Sequence, residues 1–483
     1  MIISATLLCL IIYFTNVPLG IVKDWTWGRH VTSIFPVYEL AAISIFFIIS
    51  VVIAYKAGRY AKSVNEAIIC ILLILGCGAF IDYYILQSGK FGLNENIFGV
   101  LDKYTGGYMT EAANIKEPGQ YFRSFHVKLS KDEDKSNHVD VHPPGNIMLS
   151  YAVLQWCRRS KVPDKILHAV LPGAIFEELD TARKDGVFNG VPDENAVFTA
   201  GAFMVLISLI CLTLARLLII AASLALCRQC GNFGLTALLT ATAVPAPILF
   251  LGHYDVLMFF LGAICCFLFS LGENSKRGYW WDIATGIALG CAVLFSLAFS
   301  GMILFVIACV GISRPMDRRN WYRIAAVTGG GLAVVALCYL CGIHIIEICY
   351  YASRNNSRYF AESGRSMFWP PFNILDYLIF GGVFLFFMPL NEISRIKLKN
   401  PCRFKIYIFY FSVLLLLFIS PFSRGEMGRL LLFFMPAGLM LSLAAVARKK
   451  LDNASWWMFT SVAAISLLLT FLIRIILKLI MIL

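Results

Sequence analysis

A succession of apolar runs, each close to the length of a bilayer crossing, narrows the architectures open to this chain more than any single motif. A spanning helix needs about 20 mainly apolar residues, and runs of that order occupy 1–22, 37–55, 67–87, 196–226, 233–251, 254–273, 322–345, 371–390, 404–420, 427–446 and 456–481. The run 281–313 is too long for one crossing and is expected to split near Ser300-Gly301 into two short helices, for about thirteen crossings in total. The first run lacks a basic start, and no clear small-residue cleavage site precedes Lys23, so it is expected to be a transmembrane helix and not a signal peptide. Composition agrees: 59% of the 483 residues are hydrophobic and 14% charged, where soluble domains carry roughly a quarter. The expected fold class is an all-α polytopic membrane protein.

The net charge of +12 would suggest nucleic acid in a soluble chain. Here Lys and Arg cluster in the short loops between apolar runs, as membrane orientation requires, and no nucleic-acid partner is expected. The cysteines lie mostly inside apolar runs, Cys265-Cys266 among them, and read as small hydrophobes rather than as a disulfide framework. Cys227-x-x-Cys230 has no partner pair to complete a zinc site.

One apolar segment, Ile147 to Trp156, is too short to cross comfortably, and its placement decides the orientation of everything after it. If it does not cross, Lys56, Arg59, Lys62, Arg228, Lys276, Arg277, the Arg314–Arg323 connection, the 395–405 cluster and Arg448-Lys449-Lys450 share the cytoplasmic side. If it crosses, every cluster from Arg228 onward lies opposite Lys56, Arg59 and Lys62. The first arrangement is expected, with the segment as an interfacial helix on the outer surface, Trp156 and Arg158-Arg159 at headgroup level, and the N-terminus cytoplasmic. Residues 88–195 then form one extracytoplasmic excursion from an inner (plasma) membrane.

That excursion holds fifteen of the chain's 29 acidic residues. A loop this long inside a compact membrane domain is usually functional or disordered, and Tyr104, Tyr108, Tyr121, Phe122 and Phe125 could anchor short helices on the membrane surface. It closes on His138-Val139-Asp140-Val141-His142-Pro143-Pro144-Gly145, with two histidines and a carboxylate at a water–membrane boundary. Pro143 and Pro144 disfavour helix before them, and Pro144 can open the helix that follows. The same topology carries other polar groups to the outer side: Asp82, His253-Tyr254-Asp255, His344 with Glu347, and Ser423-Arg424-Gly425-Glu426-Met427-Gly428-Arg429. Ionisable groups at membrane depth are costly unless paired or hydrated, so each is either a functional candidate or half of a structural ion pair. Tyr350-Tyr351, Arg354, Arg358 and Tyr359, in a loop read as 346–370, suit an aromatic belt with solvated arginines.

The His142-Pro143-Pro144-Gly145 motif at the end of a large first outer loop, followed by an apolar helix ending in a basic pair, resembles the C-type membrane glycosyltransferases, which include the protein O-mannosyltransferases and the lipid A aminoarabinose transferase. Ser423-Arg424-Gly425-Glu426 before Arg429-Leu430-Leu431, and Pro245 before His253-Tyr254-Asp255, add two further patches of likeness. The resemblance implies a module over 67–446, preceded by two extra amino-terminal helices in 1–66 and followed by a carboxy-terminal one in 447–483. It also implies transfer of a sugar from a polyprenyl-phosphate donor to a glycan, lipid or protein acceptor at the extracytoplasmic face, with inversion. A carboxylate of the first outer loop would serve as general base. Glu111 in Gly107-Tyr108-Met109-Thr110-Glu111 matches best by placement, although such families more commonly show Asp, which keeps Asp102 and Asp140 as competitors.

The chemistry needs these groups because an acceptor hydroxyl is a poor nucleophile until a positioned base takes its proton, an assistance of about 100- to 10,000-fold. The leaving group is a lipid phosphate, so cationic partners are expected, with Arg424, Arg429 and His142 as candidates. His138, His253, Asp255, Glu426 and Asp82 are further outer-face candidates. A divalent cation could share the task, held by Asp255 or Asp140 with His138 or His142, although the spacing is not diagnostic of a metal site. Two other classes fit the same chain: a transporter or flippase for a lipid-linked or polar solute, which would favour repeated halves and broken helices, and a polysaccharide polymerase or ligase, which usually places its large loop late.

Overall fold

The computed structural model describes residues 1–15, 19–21, 25–26, 28–29, 35–60, 63–90, 92–101, 107–131, 138–184, 192–227, 232–275, 278–312, 318–362, 369–396, 401–420, 427–449 and 451–478. Apart from two pairs of two-residue strands, the described elements are helices. The chain opens with α1 (Ile2–Phe14), α2 (Val37–Tyr60) and α3 (Val64–Gln87). An excursion of short helices follows: α4 (Asn94–Leu101), α5 (Tyr108–Ala113), α6 (Pro118–Arg123), α7 (Phe125–Ser130), a 3-10 turn at His138–Val141, α8 (Gly145–Arg159), α9 (Val162–Val170) and α10 (Gly173–Lys184). The bundle resumes with α11 (Glu194–Cys227), α12 (Phe233–Thr242), α13 (Ala246–Leu249), α14 (Asp255–Asn274), α15 (Tyr279–Val293), α16 (Phe299–Ile312), α17 (Arg318–Leu340) and α18 (Ile345–Glu362). It ends with α19 (Trp369–Phe380), α20 (Val383–Ile396), α21 (Pro401–Ile419), α22 (Met427–Leu430), α23 (Met435–Ala447) and α24 (Asn453–Ile476).

Among the described residues, six helices are long and apolar enough to cross a membrane: α2, α3, α11, α14, α17 and α24. A seventh crossing arises if α19 and α20, which meet at 105°, count as one. Several apolar runs are shorter than their sequence suggests because they are broken. The run at 1–22 is helical only to Phe14, and its distal part, Gly20–Ile21, pairs with Trp25–Thr26. The run at 233–251 breaks before Pro245, where a helix cannot keep its backbone hydrogen bond. The run at 281–313 does split, but at 294–298, earlier than Ser300-Gly301. Its break has a tertiary cause: the Leu294 carbonyl accepts from the Gly145 N–H at 2.8 Å, so it is turned toward α8. The run at 456–481 stops at Ile476, after which Leu477–Lys478 pairs with Gly28–Arg29.

The segment at 147–156 lies in α8, a 15-residue helix that is not among the membrane-length spans and packs against α5, α9 and α11. Residues 346–370, read from sequence as a loop, are helical as far as Glu362 in α18. Described cysteines are unbridged. Close helix approach in the bundle uses small residues, as expected where lipid offers no hydrophobic drive for association: Gly286 of α15 lies against the Val327 backbone of α17, and Gly330 against Ile283.

At the end away from the excursion, Arg323 binds Asp282 at 2.8 and 2.9 Å and Glu273 at 2.6 Å, and Arg319 donates to the Ser275 carbonyl. At that same end Lys449 meets Glu392 at 2.9 Å, and Arg59 reaches Asn453 across α2 and α24. The excursion caps the other end.

Candidate functional site

The entrance to the excursion is tied to the last helix. Arg474 of α24 meets Glu95 at 3.1 Å and donates to the Leu86 and Gly92 carbonyls and to Asn96 Oδ1 at 3.1 to 3.2 Å. Asn96 in turn donates through Nδ2 to the Leu251 carbonyl. Gly252 follows with φ +89°, a left-handed conformation that suits glycine, and it turns the chain so that His253 and Tyr254 precede the first turn of α14.

Two polar clusters are built on this frame. In the first, Glu111 of α5 accepts from the Tyr121 hydroxyl of α6 and from Lys128 Nζ of α7, each at 2.5 Å, and both donors converge on Oε1. No donor among the described residues reaches Glu111 Oε2. Lys128 also lies 3.8 Å from Asp140 Oδ1. One ammonium therefore links two of the three carboxylates that sequence left in competition. Burial and the neighbouring Glu111 carboxylate push the Tyr121 phenol well above its ordinary range, so it acts as a donor. The frame of this cluster comes from α18: Asn355 donates to the carbonyls of Leu129 and Asp140, and Arg354 donates to the Ser130 carbonyl. Of the residues read as an aromatic belt, Arg354 thus holds α7 in place, while its neighbour Asn355 holds both α7 and the 3-10 turn.

The second cluster centres on an ion pair between Arg429 Nε of α22 and Asp255 Oδ2 of α14, at 2.6 Å. Gly428, the residue before Arg429, donates its N–H to Asp376 of α19 at 2.9 Å, which fixes the backbone from which the arginine projects. Tyr108, at the start of α5, stacks edge-on against Tyr254 at 4.7 Å and lies 6.3 Å from the His142 ring. Its hydroxyl shares a hydrogen bond with Asn146, the second residue of α8, and one turn later Ser150 bonds the Tyr254 hydroxyl at 2.5 Å. Burial holds His142 down to about 4, with Asp255 opposing and Arg429 assisting. Burial holds His253 at about the same value, assisted by Arg429 and Arg474. Both imidazoles are neutral near pH 7.

The clusters share their supports. Helix α5 carries Tyr108 toward one and Glu111 toward the other, and the turn through 140–142 carries Asp140 toward Lys128 and His142 toward Arg429. Of the residues singled out from sequence, Glu111, Asp140, His142, His253, Asp255 and Arg429 are thus brought into two adjoining groups. Asp82 is not. It lies in α3, buried, with Oδ2 and Oδ1 bound by Arg216 of α11 at 2.5 and 3.1 Å, and Arg216 also donates to the Ala241 carbonyl. That is the structural ion pair offered as its alternative. His344 and Glu347 pair with each other at 3.5 Å, and the His344 ring lies 4.4 Å from His126. Asp102, Arg424 and Glu426 lie outside the described residues, as does the His138 side chain. Among the described residues no group of three or more His, Cys, Asp or Glu side chains could hold a metal ion.

No family model and no curated protein matches the chain. It is similar in fold to two solved structures of the Archaeoglobus fulgidus oligosaccharyltransferase. One is tethered through a disulfide bond with an acceptor peptide containing the NVT sequon, at 13% identity, and the other is the apo form, at 14%. The TM-score is 0.44 for each; the matches cover 90% and 89% of this chain and 55% of the other. The chain thus spans about half the length of the solved chains it matches.

Sequence reasoning missed Lys128, Tyr121, Asn146, Asn355 and Asp376. Lys128 and Tyr121 carried a usable signal, since a cation and a phenol follow a candidate base within one loop. Asn355 and Asp376 carried none, because their partners are backbone groups far away in sequence.

Proposed function

We propose that the chain is a membrane glycosyltransferase that moves a sugar from a polyprenyl-phosphate donor to a glycan, lipid or protein acceptor at the extracytoplasmic face, in one inverting displacement. The observation that carries this reading is the juxtaposition of an oriented carboxylate, Glu111, with an oriented guanidinium, Arg429, through the shared helix α5 and the 140–142 turn. Tyr121 and Lys128 fix Glu111 by one oxygen, and Oε2 is the oxygen that takes the acceptor proton. Asp255 fixes Arg429 through Nε; a guanidinium carries five N–H donors in a planar fork, which suits the phosphate on which negative charge develops. Asp140 shares Lys128 with Glu111 and steadies that ammonium as the base changes charge.

The test is incubation of the purified chain with a panel of polyprenyl-phosphate sugars, following release of free carrier phosphate. Glu111→Gln is expected to lower release by about 100- to 10,000-fold while membrane insertion is retained. Full activity in that variant removes Glu111 from the base role. The breaks at 243–245 and between α19 and α20 favour a second reading, transport of a lipid-linked solute, since broken helices build transporter sites. Solute movement across proteoliposomes without carrier-phosphate release would select it.

A further inference from the structure

Two buried side chains of the second cluster each leave one polar atom without a hydrogen-bond partner among the described residues: Asn146 Oδ1 and His253 Nε2. Asn146 is 2% exposed and His253 4%. A buried polar atom left unpaired has given up its hydration without a partner in return, so each is a position where a polar ligand atom gains. Asn146 is already bonded to the Tyr108 hydroxyl, and Tyr108 packs on Tyr254, the neighbour of His253. Tyr108 and His253 both feel the charges of Asp255 and Arg429, so the two orphan atoms belong to residues gathered around one ion pair.

We propose that Asn146 Oδ1 and His253 Nε2 form a subsite for the uncharged hydroxyl groups of a sugar, beside the Asp255–Arg429 pair. The inference rests on the glycosyltransferase reading and narrows its substrate class to a donor carrying a neutral sugar. An amide oxygen only accepts, and a neutral imidazole nitrogen either donates or accepts according to its tautomer. A hydroxyl does both, so a diol satisfies the two atoms in either tautomer. A sugar carboxylate would bring a second acceptor against Asn146 Oδ1. A sugar ammonium by His253 would feel the positive charges of Arg429 and Arg474, which repel it, as well as Asp255, which attracts it. Each charged sugar leaves a repulsive contact that a hexose does not.

The experiment measures binding of four probes to the full chain in nanodiscs: polyprenyl-phosphate hexose, the corresponding uronic acid, the corresponding amino sugar, and bare polyprenyl phosphate. The hexose form is expected to bind at least about tenfold more tightly than the bare carrier, the value of one buried hydrogen bond, and the charged forms no more tightly than the bare carrier. Asn146→Ala and His253→Ala are each expected to shrink the hexose-to-bare ratio toward one. Equal binding of hexose and bare carrier by the unaltered chain overturns the subsite without needing any variant, as does equal binding of a charged sugar. Binding of no polyprenyl phosphate, loaded or bare, together with no effect of Arg429→Ala, overturns the glycosyltransferase reading and the subsite with it. Tight carrier binding with no preference for the hexose overturns the subsite alone.

Discussion

Alanine at Gly145 is expected to push the first turn of α8 away from the bend between α15 and α16. A Cβ built on Gly145 lies 2.5 Å from the Leu294 carbonyl oxygen, 2.8 Å from its carbon and 3.0 Å from Phe295 Cγ. Two of these neighbours are backbone, so no side-chain rotation relieves them. Reaching ordinary contact at 3.4 Å requires the two segments to part by about 0.9 Å. That movement breaks the 2.8 Å bond from the Gly145 N–H to the Leu294 carbonyl. Losing the bond removes about 1 kcal/mol and overpacking removes about 1–3 kcal/mol more, so chemical unfolding in detergent is expected to report a loss of about 2–4 kcal/mol. The next residue is Asn146 and the fourth after it Ser150, so the shift also displaces the partners of Tyr108 and Tyr254. A misplacement near 1 Å is enough for a roughly 100-fold fall in turnover, read as carrier-phosphate release. Unfolding within about 0.5 kcal/mol of the parent, with unchanged turnover, would refute the claim that this motif needs glycine for close backbone approach.

Four further outcomes follow from the geometry. Asp82→Ala strands a buried guanidinium and is expected to cost about 3–5 kcal/mol in unfolding experiments, whereas a loss below about 1 kcal/mol would mean that Arg216 finds water. His142 and His253 are held near 4, below the value of about 6.5 for an unfolded histidine. Protons therefore favour the unfolded chain, and their contribution to stability is complete above about pH 6.5 and is lost as pH falls toward 4; a His142→Gln, His253→Gln chain is expected to show a flatter pH profile over that window. Asn355→Leu removes the donor to the Leu129 and Asp140 carbonyls and is expected to lower turnover while leaving the carrier binding proposed for Arg429 intact, measured by a split between kcat and KM. With the exposed Cys341 replaced by serine, an impermeant thiol reagent applied to intact cells is expected to label Glu117→Cys and not Arg319→Cys; the reverse pattern would invert the proposed orientation.

The legible part of this protein is the part set by solvent. Apolar runs marked α2, α3, α11, α14, α17 and α24 because a bilayer imposes a length, and α8 was separable because its apolar stretch falls short of that length. Breaks within runs were legible only where a residue forces them, as Pro245 does. The 294–298 break was misplaced because nothing local demands it; it follows from a hydrogen bond to Gly145, about 150 residues away in sequence. Within the site, Glu111 and His142 were visible through the motifs of the resemblance and Arg429 as an ionisable group at a membrane boundary, while Asp82 looked like Arg429 and proved to be half of a buried pair. Sequence alone weighs a charge by its depth; its partner decides whether it is available, and that partner comes from another helix.

The tie between Arg474 and the mouth of the excursion sets a timetable for synthesis. Asn96 leaves the ribosome 378 residues before the arginine that holds it. At about 5–20 residues per second, the segment bearing Glu111 and His142 waits roughly 20–75 seconds for its clasp. Until then Glu95 and Asn96 have to be hydrated or chaperoned, and a chain halted before α24 would display this segment without its fastening. Closure of this mouth is thereby deferred until α24 has been made.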